Sequence, residues 1–439
     1  MKLVSLFVFI ICFSKSIFAI TSHGRVTFGG LLSKEDHPPE VQGTTANDFS
    51  TLSTRLYYQA SKWTKHQLVL TTDLRDKHDF FNKLDTELQQ LSAKNDFQLR
   101  TLSIRNHTRK GIHWQAGRFH LLEAGSTFTD GFEAGYKTSS GYKASFFAGL
   151  NPKTADKSYL DFSSKKNIYG AYLYYEPQSS SWSKVFQTSS AYVTETFDGD
   201  VDRTYLYNQT RYQWRRDRHF FGQFYYDFVP TAKIQNAYLS YHDKFSKLWR
   251  GSAAYKIYDV IEYRRNADIR ETLEPSPYKE FQLQAKYRAN RKAQLSLEAR
   301  SGTRATDNKK RTTLFFKARF PRIISKRFDA SAGLKSAQNF TKNGTYLYSA
   351  FGYYSGTMEL DINLDIGQET QTDGSKLNPV IIEVTASKQY SKKLFGALSL
   401  QSAKDEKVNI STAFFKFSYR FGTKSISPMR DGAAPRGRL

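Results

Sequence analysis

The chain of 439 residues contains a single cysteine, Cys12, and it lies in a segment with the character of a cleavable leader. Without that segment no disulfide and no thiolate ligand or nucleophile remains, so stability must come from pairing and packing. Past residue 19 no stretch approaches the roughly 18 consecutive apolar residues of a membrane-crossing helix, and mean hydropathy is −0.59. A helical membrane protein is thereby excluded. A membrane β-barrel is not, because only alternate residues of each strand would meet lipid. Acidic residues are scarce: 41 Asp and Glu stand against 65 Lys and Arg, a net charge of +24. The basic excess is spread along the whole length rather than gathered on one helix or patch, which argues against a nucleic-acid partner. Also missing are a Gly-x-Ser-x-Gly element, a phosphate-binding glycine loop and the fixed repeat of a propeller or solenoid. The nine His, among them His23, His66, His113, His120 and His242, lack the paired helical spacing of a zinc protease. No cofactor is implied and an enzyme is disfavoured, although a barrel phospholipase would need only a serine and a histidine brought together on the wall.

What is present begins with a leader. Met1-Lys2 is a short basic start, Leu3 to Phe13 is apolar but for Ser5, and Ser14 to Phe18 leads to the small residue Ala19. This is a secretory signal over residues 1–19, too short to span a bilayer. A lipoprotein anchored at Cys12 fits less well, since Ile11 precedes it where a small residue is needed. Cleavage removes Lys2 and Lys15 and leaves a net charge of +22.

The main signal is alternation with period two over about ten residues at a time. From Thr357 to Gly367, Met358, Leu360, Ile362, Leu364 and Ile366 form one face and Glu359, Asp361, Asn363 and Asp365 the other. Phe281, Leu283, Ala285, Tyr287 and Ala289 alternate with Gln282, Gln284, Lys286, Arg288 and Asn290. After a turn at Asn290-Arg291, Ala293, Leu295, Leu297 and Ala299 oppose Gln294, Ser296, Glu298 and Arg300. About 22 strands can be counted in this way. Short turns are expected near 62–65, 106–109, 139–140, 215–217, 289–291, 355–356 and 390–392. Longer connectors are expected between them, near 33–50, 75–95, 151–166, 259–278 and 368–378, so that short and long alternate along the chain. The pattern predicts an all-β fold, a single transmembrane antiparallel barrel of about 18–22 strands over residues 20–421, followed by a disordered basic tail over 422–439. Aromatics make up 15% of the chain, and Tyr57-Tyr58, Tyr174-Tyr175, Tyr225-Tyr226 and Tyr353-Tyr354 are candidates for interfacial girdles.

Near the C-terminus Ala413, Phe415, Phe417, Tyr419 and Phe421 alternate with Thr412, Phe414, Lys416, Ser418 and Arg420. This run resembles the last-strand signal of bacterial outer-membrane barrels, with Phe417, Tyr419 and Phe421 as the residues that assembly machinery would read. It departs from that signal in continuing past the aromatic residue. Gly117-Arg118-Phe119 with Thr129-Asp130-Gly131 is similar to strand and loop elements of porin-like proteins. The resemblance implies an outer-membrane location with lipid, lipopolysaccharide and the barrel assembly machinery as partners, and assigns no particular porin family. Oligomeric state is left open.

Two loop features carry possible chemistry. Asp198, Asp200 and Asp202 alternate as in a calcium loop, but Arg203 stands where a turn glycine is wanted and Gln209 where the bidentate acid belongs, so a polar hairpin is the better reading. Phe80, Leu84, Leu88 and Leu91 have helical spacing and predict a short amphipathic helix over 79–92, capping an outer loop or narrowing a lumen. The polar strand faces hold more cations than acids. Arg211, Arg250, Lys256, Lys286, Arg288, Arg300, Lys317, Arg319, Lys416 and Arg420 are the candidates for lumen charge, and an open lumen so lined would favour anions. The expected function is a pore for small hydrophilic solutes with modest anion preference. The alternative is a non-transporting surface barrel whose loops bind a partner or mediate adhesion. A plug-bearing, energy-coupled receptor is disfavoured because the strand pattern, from Gly24, begins almost at the cleavage site.

Overall fold

A computed structural model describes residues 21–37, 48–61, 68–83, 95–106, 108, 110–152, 165–177, 184–215, 217–259, 261, 263, 277–290 and 293–422. The strands are β1 (Thr21–Asp36), β2 (Asp48–Ser61), β3 (Leu68–Lys83), β4 (Asn95–Asn106), β5 (Gly111–Leu121), β6 (Thr127–Lys137), β7 (Tyr142–Leu150), β8 (Lys166–Tyr175), β9 (Val185–Phe197), β10 (Asp200–Arg215), β11 (Arg218–Val229) and β12 (Lys233–Asp243). They continue with β13 (Trp249–Tyr258), β14 (Tyr278–Tyr287), β15 (Gln294–Arg304), β16 (Lys310–Pro321), β17 (Phe328–Gln338), β18 (Lys342–Ser355), β19 (Met358–Gln371), β20 (Lys376–Leu377), β21 (Val380–Gln389), β22 (Leu394–Lys404) and β23 (Asn409–Gly422). β20 is a two-residue return onto Glu369 and Thr370, so 22 long strands form the wall.

Every long strand pairs antiparallel with its sequence neighbour, and β1 pairs with β23 from His23 opposite Gly422 to Asp36 opposite Asn409. The sheet thus closes on itself and leaves no edge to aggregate. At the closing seam the terminal aromatics alternate as the sequence predicts. Phe417 and Tyr419 stand on the outer face, and Phe421 stacks on Tyr58 at 6.3 Å. Gly24 and Gly30 leave room there for the rings of Phe421 and Phe415, which lie 2.4 Å from where a Cβ would stand.

Strand parity sorts the two faces. Ile362, Ile366, Leu347, Leu334, Leu314 and Phe316 are all more than a third exposed on the outside, where lipid would cover them. Around the short-turn end an outer belt runs through Tyr142, Tyr175, Phe186, Tyr212, Trp214 and Tyr241, each ring within 6 Å of the next. Both ends of the barrel chain, Thr21 and Gly422, sit at this end. The turns expected at 139–140, 355–356 and 390–392 join β6 to β7, β18 to β19 and β21 to β22.

Three expectations need correction. The predicted helix over 79–92 starts inside a strand: Asp79 and Phe80 belong to β3, opposite Thr51 and Ser50, because pairing along β2 extends an existing ladder whereas a short isolated helix must bear the cost of nucleation. Leu84, Leu88 and Leu91 lie outside the described residues. Much of the connector expected over 368–378 is strand, with β19 running to Gln371. The alternation of short and long connectors does not persist either. Between β9 and β10, β17 and β18, and β22 and β23 the turns at the far end are as tight as those at the near end. The leader over 1–19 and the tail from residue 423 fall outside the described residues.

Candidate functional site: a lumen filled on one side

A closed barrel of this width cannot be filled by wall side chains alone. Here the wall itself is bent to help. The ladder between β4 and β5 is short, from Arg105 opposite Gln115 to Leu102 opposite Arg118, and β6 pairs with β7 only as far as Asp130 opposite Leu150. Beyond those pairs β5 and β6 stay bonded to each other up to Leu121 opposite Thr127, so the hairpin tip leaves the wall as a unit. Gly117, Gly131 and Gly149 form one cross-strand row at the bend. Gly117 has φ +106° and a Cβ there would lie 2.2 Å from the carbonyl of Leu102, while one at Gly131 would lie 2.0 Å from that of Ala148. Only glycine lets the backbones come this close. The pair Arg118 and Asp130 clasps the two strands at the same level, with the Arg118 Nη1 also donating to the Leu99 carbonyl at 2.9 Å.

The tip crosses to the inner face of β8–β11. A 3-10 turn, Leu122–Ala124, is held there by side chains that replace a strand ladder. Ser189 Oγ donates to the Glu123 carbonyl at 2.6 Å, and the Tyr225 hydroxyl donates to the Gly125 carbonyl at 2.9 Å. The Tyr205 hydroxyl bonds Thr127 Oγ1 at 2.8 Å. Beneath it Phe119, Leu121, Ala124, Phe147, Ile168, Val193, Tyr205 and Tyr207 make an apolar core inside the barrel.

Charges on this side are buried in pairs. Arg203 meets Asp227 with nitrogen–oxygen distances of 2.9 and 3.2 Å, and Lys166 meets Glu195 at 2.7 Å. Glu133 accepts from Ser145 at 3.1 Å and from Tyr172, with Lys143 at 3.0 Å. His113 and Ser145 are brought together on the wall, Nε2 to Oγ at 2.6 Å, but the same Nε2 also faces Glu133 at 3.3 Å. His113 Nδ1 has no partner among the described residues, and Ser145 is 1% exposed. A nucleophilic relay needs the carboxylate on the other ring nitrogen and an accessible hydroxyl. This cluster has neither, and it reads as a buried structural network in which one imidazole nitrogen stays unpartnered.

The opposite side, β13–β23, stays open around a cavity of about 1520 Å³. Arg250, Lys286, Arg288, Lys317 and Arg319 line one part of it and Glu359, Asp361 and Glu383 another, with Lys416 and Arg420 near the seam. Of the other sequence candidates, Arg300 shares the inner face and is bound to Glu298 at 2.6 Å, while Lys256 donates to the Tyr278 hydroxyl at 2.6 Å. Arg211 is on the inner face of β10 on the filled side, opposite Gln187 and Phe221, but exposed, nearer the short-turn end than the packed core. Sequence reasoning missed the infolding residues, Glu123 to Gly125 with Ser189, Tyr205 and Tyr225. Its signal was the glycine row, for Gly117 and Gly131 were noticed only as part of short porin-like matches. The Asp198-Gly199 pair forms a tight hairpin turn with φ of 54° and 95°, and among the described residues no group of acids or histidines is arranged to hold a metal.

No family model and no curated protein matches the chain. Among solved structures it is similar to the translocation pore of the P pilus usher PapC, with TM-score 0.54 and 7% identity over 92% of this chain and all of that one. It also aligns with Pseudomonas aeruginosa OpdQ (TM-score 0.45, 9% identity, 94% and 100% of the two chains) and Acinetobacter baumannii OccAB2 (TM-score 0.45, 10% identity, 91% and 98%). The likeness is one of fold: the chain is built as a closed antiparallel β-barrel.

Proposed function

We propose that this barrel is an outer-membrane pore through which small hydrophilic solutes diffuse along its open side, with a modest preference for anions. The observation that carries the reading is the contrast across the lumen. One side is packed dry by the infolded tip, while the other keeps a water-accessible cavity whose cations outnumber its acids. A basic lining concentrates anions and slows cations. In the same reading residues 1–19 direct export and are removed, the tight turns and both chain ends face the periplasm, and the outer belt meets lipid and lipopolysaccharide. Phe417, Tyr419 and Phe421 guide assembly, and the wall performs no chemistry on what passes. The test is single-channel recording of the purified chain in a planar bilayer under a salt gradient. Stable ohmic steps with a reversal potential on the anion side are expected. A folded, heat-modifiable barrel without conductance would end the pore reading in favour of loop-mediated binding.

A further inference from the structure

We infer that the inner wall of β13–β16 carries a discrete docking site for a small multivalent anion, a solute bearing a phosphate group or two or more carboxylates. The site rests on the pore reading, since such a solute reaches it from the lumen. Its basis is strand register. Arg250 is directly opposite Lys286, Lys286 opposite Ser296, Ser296 opposite Lys317, and Lys317 opposite Gly333. One row across four strands therefore reads cation, cation, serine, cation, and then glycine. In the next row towards the turns, Gln294 is opposite Arg319, with Arg288 two residues beyond Lys286 on the same face.

Two features set this cluster apart from a merely basic wall. Like charges directly opposite on one face of a sheet destabilise it, yet Arg250 and Lys286 occupy such a pair. Nearby cations are neutralised: Arg300 by Glu298 at 2.6 Å and Arg319 by Asp329 at 2.7 Å. Among the described residues Arg250, Lys286, Arg288 and Lys317 have no carboxylate within ion-pair distance, and Lys317 lies over the Tyr348 ring at 4.7 Å. The second feature is shape. Ser296 is small, its hydroxyl donates a long bond of 3.4 Å to the Lys317 carbonyl, and it is flanked by lysines one strand away on each side, so their Cα atoms stand roughly 10 Å apart. Long side chains from both can converge over the serine, while the guanidinium of Arg250 or Arg288 adds a forked donor matched to phosphate or carboxylate oxygens. A monovalent anion answers one of these cations. Two or more closely spaced negative charges answer both rows at once.

The experiment adds pyrophosphate, citrate or acetate to the conducting barrel at constant ionic strength and reads current block. Pyrophosphate or citrate should block in a saturable way and acetate should not, and Lys286→Gln should weaken the block by about tenfold, the size of one charge-assisted contact. Arg211→Gln, on the filled side, should leave it unchanged. Ser296→Leu, which keeps every charge but fills the floor of the cluster, should also weaken it. Should Lys286→Gln fail to fold, Ser296→Leu still decides the matter. Conductance without saturable block would overturn the site and leave the pore intact. Equal weakening by Lys286→Gln and Arg211→Gln would reduce the site to a diffuse potential. Calorimetric titration of pyrophosphate into the barrel in detergent provides a readout without current: binding there with no conductance would keep the site and end the pore reading.

Discussion

The two sides of the lumen solve the same geometric problem in opposite ways. Between β5 and β11 the inner face is packed like a globular core, with Phe119, Ala124, Val193 and Tyr205 at most 3% exposed and Arg203 bound to Asp227 out of reach of water. Between β13 and β23 the inner face keeps simple alternation, and its charges look into a cavity. The difference shows that width alone does not decide how far a barrel's lumen is filled. A row of glycines at one bend and three side chains aimed at the tip's backbone are enough to turn half of a wall into filling.

The sharpest way to break this comparison is to remove a buried charge on the filled side and an exposed one on the open side. Asp227→Ala should cost up to about 3–5 kcal/mol, because it leaves the buried Arg203 guanidinium with only Glu195, at 3.9 Å, to answer its charge. Arg250→Ala should stay within about 0.5 kcal/mol of the parent, since water already serves that group. Urea midpoints for refolding into detergent micelles would measure both, and equal losses would mean that the two sides are equally dry. Next in size is the tip itself. Replacing Leu122–Ser126 by Asn-Gly closes the hairpin with a tight turn and removes the 3-10 turn, with the carbonyls that Ser189 and Tyr225 hold, from the lumen. Single-channel conductance should then rise as that part of the lumen is freed. An unchanged conductance would place the permeation path wholly along β13–β23. A smaller effect is expected from Tyr225→Phe with Tyr205→Phe, which keeps the rings and removes the hydroxyls that hold the tip. Each lost hydrogen bond should cost about 0.5–1.5 kcal/mol, and the open-channel current should become noisier as the tip loosens. A quiet channel of parental conductance would show that apolar packing of Phe119 and Leu121 suffices to anchor it.

The open side was the more legible in the sequence. Period-two alternation such as Met358 to Ile366 against Glu359 to Asp365 survives intact in β19, because each of those strands turns one face outward and the other to an open cavity, with no second packing layer on either. The filled side obeys a different rule. Its inward residues are Phe119, Phe147, Ile168, Val193 and Tyr205, apolar like the outward ones, so alternation weakens where the wall acquires a second packing partner. The infolding depends on contacts between Ser189 and Glu123, or Tyr225 and Gly125, separated by 66 and 100 residues, and no local pattern encodes them. The Phe80 to Leu91 periodicity pointed to a helix where β3 continues to Lys83, because pairing with β2 outweighs a spacing that four apolar residues satisfy by chance.

The turns test whether the two sides share one kind of support outside the lumen. Between β15 and β16 the Asp307 carboxylate accepts hydrogen bonds from the Arg304 guanidinium and, at 3.2 Å, from the Lys309 backbone N–H. The Arg304 bond, aided by that N–H, holds the carboxyl well below the usual carboxylate range, against a small opposing effect of burial. A group with a depressed folded pKa contributes stability above its unfolded value, about 3.9 for an aspartate, and loses it as pH falls through the folded value. Asp307→Asn should therefore lower the unfolding midpoint slightly at neutral pH, by an equal amount down to the ordinary carboxylate range, with the gap closing only in stronger acid. Because the carboxylate is solvent-exposed, the gap should also shrink in high salt. A difference that persists in strong acid would trace instead to the turn backbone, where Asn308 holds φ of 53°, and would mean that this turn is supported by conformation rather than by charge.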